Sequence, residues 1–428
     1  MKEMASSLEA RVLKAVDCES DEIARFLRDL VKAKSVTGDE QLAQELVREK
    51  LKELGAEVDF WRPSRSDYKA FQSFVADEKD FDRRPNVVGR FRGPSSGKAF
   101  AFNGHVDVVP EGDPKLWRHD PYGGRMVGGK VYGRGACDMK GGLAATIFSI
   151  KALHDAGFTP TRDILVESVI GEESGGVGTL ATILRGYTPD AVVIAEPTNL
   201  ELLTSQAGCL NFRLRISGKA AHGASRYLGV SAIEKFQPVL QALNHLESKR
   251  KTMKKLDLYR RVPNPVTLSI GKVRAGNWDS TVPDELVAEG RYGVWPGEDL
   301  EHARVQFERA VEGAAREDPW LQNHSPEIQW FGPQWESAEI PEDHWLASIV
   351  DDAARRVFRR RPARSGSTGG TDMRLFTNVG HVPAVLYGPG DDSVSHFRDE
   401  YVSLKDVVNA CKVYALAAVL WDARSRPA

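Results

Sequence analysis

AFAFNGHVD, residues 99–107, decides the fold: an apolar run of the kind that makes a strand buried on both faces, ending in an imidazole and a carboxylate two residues apart. Two further runs repeat the pattern. DILVESVIGEE (163–173) ends in paired glutamates and DAVVIAEP (190–197) in a single one. Open α/β sheets carry their sites at the carboxyl ends of the strands. The pattern therefore predicts His105, Asp107, Glu172, Glu173 and Glu196 along one edge of a mostly parallel sheet. Asp138, in GRGACDMKGG, and the late His396 complete a set of two imidazoles and five carboxylates, suited to two hard or borderline metal ions. Singly each is weak evidence in a chain with 60 acidic residues, where an H-x-D or a Glu-Glu pair is usually solvated surface. Their order after successive strands tells more, because converging buried carboxylates are costly unless cations neutralise them.

The surrounding chain supports an α/β core. Apolar residues recur at helical spacing from Ile23 to Val31 and from Leu42 to Leu54, where Gly55 stops the second helix. Strands at 86–91, 99–103, 164–170 and 191–195 alternate with helices at 142–156 and 177–184, as a largely parallel sheet requires. The style changes near Asn211. NFRLRISGKA, PVTLSIGKVRAG, ELVAEGRYGVW and PEIQWFG read as half-exposed strands, interleaved with helices at 230–246 and 299–315 in βαββαβ order. Residues 212–331 are thus expected to form an α+β, ferredoxin-like domain inserted between two parts of the catalytic domain, 1–211 and 332–428. A helix at 345–358, the glycine-rich SGSTGGTD, a strand in VPAVLYG and a helix at 404–420 then return to the first pattern.

At 428 residues the chain exceeds one ordinary core. Its formal charge of −2 favours neither nucleic acid nor an anionic membrane as a partner. The basic stretches 249–255 and 355–364 read as solvated helix faces. Cys18, Cys137, Cys209 and Cys411 form no CxxC pair, which argues against a disulfide scaffold and against a thiolate zinc site. The N-terminal stretch lacks a signal-peptide apolar core and no run approaches the roughly 18 apolar residues of a membrane span, so a cytoplasmic protein is expected.

The block GHVDVVPEGDPKLWRHDPYGGRMVGGKVYGRGACDMKGGLAA (104–145), followed by GEESGGVGT, IAEPT, SGKAAHGA, STVPDE, SGSTGGTDMR and HFRDEY, resembles the M20 family of dinuclear-zinc peptidases and deacylases. That family includes acetylornithine deacetylase, succinyl-diaminopimelate desuccinylase, aminoacylase and glutamate carboxypeptidase. The resemblance implies two divalent ions per subunit, zinc with cobalt or manganese as alternatives. His105 and Glu196 would hold one ion, Glu173 and His396 the other, and Asp138 would bridge them. Asp107 would accept the second ring N–H of His105, and Glu172 would be the general base. A cis peptide between Asp138 and Met139 is implied as well.

In the family the counterpart of His222 reaches a partner subunit's site and stabilises an oxyanion, which implies a homodimer formed through the inserted lid. Arg291, Gly369, Gly370 and Thr371 match positions that grip substrate, with Arg374 as the alternative cation for a substrate carboxylate. Ser280 stands where many members carry Asn, and its shorter side chain reaches less far. Glu196 rather than Asp is the form typical of the deacylases. The expected activity is metal-dependent hydrolysis of an amide C–N bond in a small, anionic N-acyl or N-formyl amino compound. The rivals are a di- or carboxypeptidase, a hydrolase of a carbamoyl, formamidopyrimidine or aromatic amine bond with Trp278 and Trp295 near the pocket, and a non-catalytic binding protein on the same fold.

Overall fold

The computed structural model describes residues 2–66, 68–71, 80–253 and 256–425. Nine strands form one sheet. Its middle four, in spatial order Ile164–Val169, Phe100–His105, Ala191–Ile194 and Ala384–Leu386, are mutually parallel. Every residue of these four strands is buried, which is why their sequences are nearly continuous apolar runs. Antiparallel strands flank them: Asn86–Phe91 and Glu57–Trp61 on one side, Leu202–Gln206 on the other. Ala338–Glu339 and Arg364–Ser367 both pair with Leu202–Gln206. The sheet is thus parallel at its centre and again where Arg364–Ser367 joins Leu202–Gln206, and antiparallel elsewhere.

Helices Gly141–Asp155 and Leu404–Ser425 pack on each other. The first is buried nearly all round, so its hydroxyls turn inward to its own backbone: Thr146 donates to the Leu143 carbonyl and Ser149 to the Thr146 carbonyl, both at 2.7 Å. Several elements were not foreseen, among them the strands Glu57–Trp61, Leu202–Gln206 and Ala338–Glu339 of the main sheet. Helix Lys2–Cys18 buries Val12 and Val16, and a three-stranded sheet joins Arg125–Val127, Lys130–Tyr132 and Tyr401–Ser403. The start of the glycine-rich segment, Arg364–Ser367, is a strand because Gly366 lets the backbone pass under Tyr259, whose ring would lie 2.2 Å from an added Cβ.

The second sheet is antiparallel throughout, in the order Leu268–Ala275, Glu285–Val294, Gly208–Ser217, Glu327–Trp335. With helices Ala232–Met253 and Leu300–Glu317 this is the ferredoxin-like arrangement, and it has its own apolar core around Phe212, Tyr292 and Phe307. Its strands extend a few residues beyond 212–331 at both ends. The basic stretch 249–255 is not a wholly solvated face. Arg250 is fully buried, donating to Glu298 at 2.6 Å and to the Gly293 carbonyl at 2.9 Å, because its helix face turns onto this sheet. Lys254 and Lys255 lie outside the described residues. All four cysteines are free, and no described helix is long and apolar enough to cross a membrane.

Candidate metal centre

Each candidate ligand follows from how its strand ends. His105 is the last residue of its strand, Glu172 and Glu173 lie in the turn after Ile164–Val169, and Glu196 is two residues past Ala191–Ile194. Because the three strands are parallel neighbours, their polar ends converge. Asp138 enters from the turn before helix Gly141–Asp155, and His396 from the loop after the fourth parallel strand, with φ 59°. The Asp138–Met139 peptide is cis. Two glycines allow the close approach that sets Glu196: an added Cβ on Gly142 would lie 2.0 Å from the Ala195 oxygen, and one on Gly388 would lie 2.5 Å from the Glu196 carbonyl oxygen.

The side chains meet. His105 Nε2 lies 3.0 Å from Asp138 Oδ1, and His396 Nε2 lies 3.3 Å from Asp138 Oδ2 and 3.0 Å from Glu173 Oε2. Asp138 thus faces both imidazoles, one through each oxygen. Ligand atoms of His105, Asp138 and Glu173 fall within 4.8 Å of one another. Glu196 and Glu172 line the same cavity of about 790 Å³. Glu196 Oε1 is buried with no hydrogen-bond partner among the described residues.

The electrostatics have the same cause. Burial works to raise the Asp138 carboxyl, but His105 and His396 override it and hold the group well below the carboxylate range. Burial works to lower His105, yet Asp138, Glu196 and Glu172 raise it well above the usual imidazole value. His396, hydrogen-bonded to Asp138 and Glu173, is pushed up to about 10. Glu173 is raised to about 7 by burial and by the Asp138 charge, and Glu172 and Glu196 well above their usual value by burial first. So many acids held near neutral are a site short of positive charge, which divalent cations supply. Oxygen and imidazole donors, with the orphaned Glu196 oxygen, fit such ions.

The expected acceptor for His105 is replaced. Nδ1 lies 2.9 Å from the Asp107 backbone carbonyl, while the carboxylate Oδ1 is 3.6 Å away. The Asp107 carboxylate instead accepts the backbone N–H groups of Glu172 (3.1 Å) and Glu173 (3.3 Å) and the Thr37 hydroxyl (2.9 Å). A tight H-x-D turn brings its own carbonyl nearer the ring than its side chain, which is then free to shape the glutamate turn.

Arg291, Gly369, Gly370 and Thr371 line the cavity, and Arg291 Nη2 donates to the Thr368 carbonyl at 2.6 Å. Arg374 does not line it. It is fully buried, donating to the Gly175 carbonyl at 2.7 Å and lying 4.6 Å from the Trp335 ring centroid, so it braces the wall from behind. His222 and Ser280 are exposed and away from this cavity; the His222 ring accepts from the Ala224 N–H at 3.0 Å. Trp278 is 72 % exposed and Trp295 is buried, its indole donating to the Arg250 carbonyl at 3.2 Å. Of the described tryptophans, Trp335 is the one on the cavity.

Residues 101–419 match the description of peptidase family M20/M25/M40. This chain belongs to peptidase family M20. Among M20 relatives, it is 28 % identical to N-formyl-4-amino-5-aminomethyl-2-methylpyrimidine deformylase of Bacillus subtilis, over 80 % of this chain and 84 % of that one. It is also 28 % identical to succinyl-diaminopimelate desuccinylase of Rhodospirillum centenum, over 94 % and 97 % of the two chains. The fold matches a Bacillus subtilis structure described as a dinuclear metal binding peptidase from the M20 family, with a TM-score of 0.62 at 17 % identity over 95 % of this chain and 99 % of that one. Like those M20 relatives, this chain is a hydrolase of the amide-cleaving type. Two buried charged residues next to the candidate ligands, Arg134 and Glu400, were not singled out in the sequence. Both lie inside quoted motifs, GRGACDMKGG and HFRDEY, but a charged residue a few positions from a candidate ligand carries no signal of what it holds.

Proposed function

We propose that this chain hydrolyses the amide C–N bond of a small N-acyl or N-formyl amino compound. The observation that carries the proposal is the meeting of His105, Asp138, Glu173 and His396, beside a cavity that Asp138, Glu172, Glu173, Glu196 and His396 line. In this reading His105 and Glu196 hold one divalent ion, Glu173 and His396 a second, and Asp138 serves both. When bound, such ions polarise a carbonyl and acidify water. Glu172 takes a proton from the attacking water and returns it to the departing amine; a buried carboxyl with a raised pKa is matched to both halves of that task. Arg291 grips an anionic group farther along the substrate. The metal is zinc, with cobalt or manganese as substitutes. The 212–331 segment acts as a lid that pairs two copies, so that His222 of one copy serves the site of the other.

Glu172→Gln tests the core of this reading: kcat is expected to fall by roughly 10²- to 10⁴-fold, with metal content by elemental analysis equal to that of the parent. A variant that loses its metal shows Glu172 to be a ligand rather than the base.

A second reading rests on Trp335, whose ring is the aromatic surface on the cavity. It favours a planar heteroaromatic amine, as in the formylaminopyrimidine named for the Bacillus subtilis relative. Comparing N-formyl, N-acetyl, N-succinyl and N-carbamoyl compounds with and without a carboxylate separates the two.

A further inference from the structure

Two ligands that meet at the centre come from segments more than 250 residues apart, Asp138 and His396. One buried pair ties their backbones together. Glu400 is fully buried, and its Oε1 accepts the N–H of Cys137 at 2.9 Å and of Asp138 at 3.1 Å. Its other oxygen, Oε2, takes Arg134 Nη1 at 2.5 Å. Arg134 is itself 3 % exposed, and its second arm, Nη2, donates to the His396 carbonyl at 3.2 Å. The path from the Asp138 amide to the His396 carbonyl is therefore Glu400, then Arg134, with both side chains shielded from water.

The surroundings hold the pair in register. Gly133 N–H donates to the Glu400 carbonyl at 2.9 Å, and the next residues, Tyr401–Ser403, pair with Lys130–Tyr132 in the three-stranded sheet. Asp399 Oδ1 accepts the Arg118 N–H at 2.6 Å, which fixes the loop after His396 against the segment around Arg118. A carboxylate is suited to the inner position because one oxygen can take two amides while the other takes a cation. A guanidinium is suited to the outer one because its planar fork reaches two acceptors at once. Neither residue lines the cavity, so neither touches substrate.

We propose that Glu400 and Arg134 are positioning residues that set the spacing of Asp138 and His396, and through it the affinity of the metal centre. The inference rests on the metal-centre reading above. Removing an outer partner of a ligand typically costs 10- to 100-fold in metal affinity, and three variants of the full chain apportion that loss. Glu400→Ala leaves the Cys137 and Asp138 amides without their acceptor. Glu400→Gln keeps an acceptor oxygen for them but turns an NH2 group toward Arg134, which loses its acceptor. Arg134→Lys keeps the charge against Glu400 but has one ammonium where two arms are needed.

The protein is stripped with a chelator and titrated with Co²⁺, followed by calorimetry and by the visible absorption of the bound ion, with Tm recorded for every variant. Glu400→Ala is expected to weaken cobalt binding by roughly 10- to 100-fold, Glu400→Gln to recover only part of that loss, and Arg134→Lys to weaken one of two sites and shift its absorption band. Parental affinity in all the variants overturns the proposal. So does a Glu400→Gln as weak as Glu400→Ala, or an Arg134→Lys loss shared equally by both sites. Should Glu400→Ala fail to fold, the Gln and Lys variants decide by the same criteria. A parent chain that takes up no stoichiometric cobalt refutes the metal-centre reading instead, so the two failures are distinguishable.

Discussion

Arg291 is held in place before any ligand arrives: its guanidinium donates to the Thr368 carbonyl at 2.6 Å and stands on the cavity wall. A cation fixed in this way loses little side-chain freedom when it meets a carboxylate, whereas an exposed arginine gains almost nothing from such a pair. Arg291→Ala is therefore expected to raise KM steeply for carboxylate-bearing N-acyl substrates, at a cost of several kcal/mol in kcat/KM, and to leave neutral analogues nearly unchanged. Steady-state kinetics on matched pairs of substrates measures the difference; equal effects on both members would transfer support to the heteroaromatic reading. Arg374, equally plausible in a sequence, differs only in burial, and burial removes it from the substrate's reach.

At the scale of elements, strand Ile164–Val169 carries a carboxyl group into the core. Glu167 is fully buried; Asn103 Nδ2 donates to its Oε2 at 3.1 Å and to Thr179 Oγ1 at 3.2 Å, and Thr179 in turn donates to Asp372 Oδ2 at 2.6 Å. Glu167 Oε1 has no partner, and burial raises the pKa from 4.5 to about 8, with the Asp372 charge adding to it. The sign follows from which state binds the proton more tightly. Below about 4.5 both states hold it; between 4.5 and 8 only the folded state does, so this contribution to stability is lost as pH rises through that window. Glu167→Gln keeps an oxygen for Asn103 and has no proton to lose. Its Tm is expected to match that of the parent near pH 5 and exceed it near pH 8.5, by an amount corresponding to a few kcal/mol at most. Parallel Tm profiles for the two proteins would show that Glu167 does not titrate in the core.

At the scale of the whole molecule, the second sheet leaves apolar side chains in water. Tyr227 is 81 % exposed and Trp278 72 %, near the exposed His222, and among the described residues the outer strand Leu268–Ala275 has a neighbour on one side only. Exposed aromatics beside an open strand edge are the kind of surface that a second copy covers. If His222 acts across such an interface, neither His222→Ala nor Glu172→Gln is active alone, but mixing them produces hybrids with one intact site. Partial recovery of activity after verified subunit exchange is the expected result. Absence of recovery, with exchange demonstrated by labelled subunits, would place His222 outside the reaction.

The strand-end polar residues were legible in the chain because burial on both faces forces a continuous apolar run, and such a run makes its terminal His or Glu conspicuous. For the same reason the four parallel strands were expected within a few residues of where they lie. The roles of neighbours were not legible. Whether Asp107 faces an imidazole or two amides, whether Arg374 or Arg291 reaches the cavity, and which of several tryptophans lines it depend on distances between segments remote in sequence. The Arg134–Glu400 link is the extreme case, joining residues 266 positions apart. Local pattern encodes which face a residue shows; only the packed chain decides what stands opposite it.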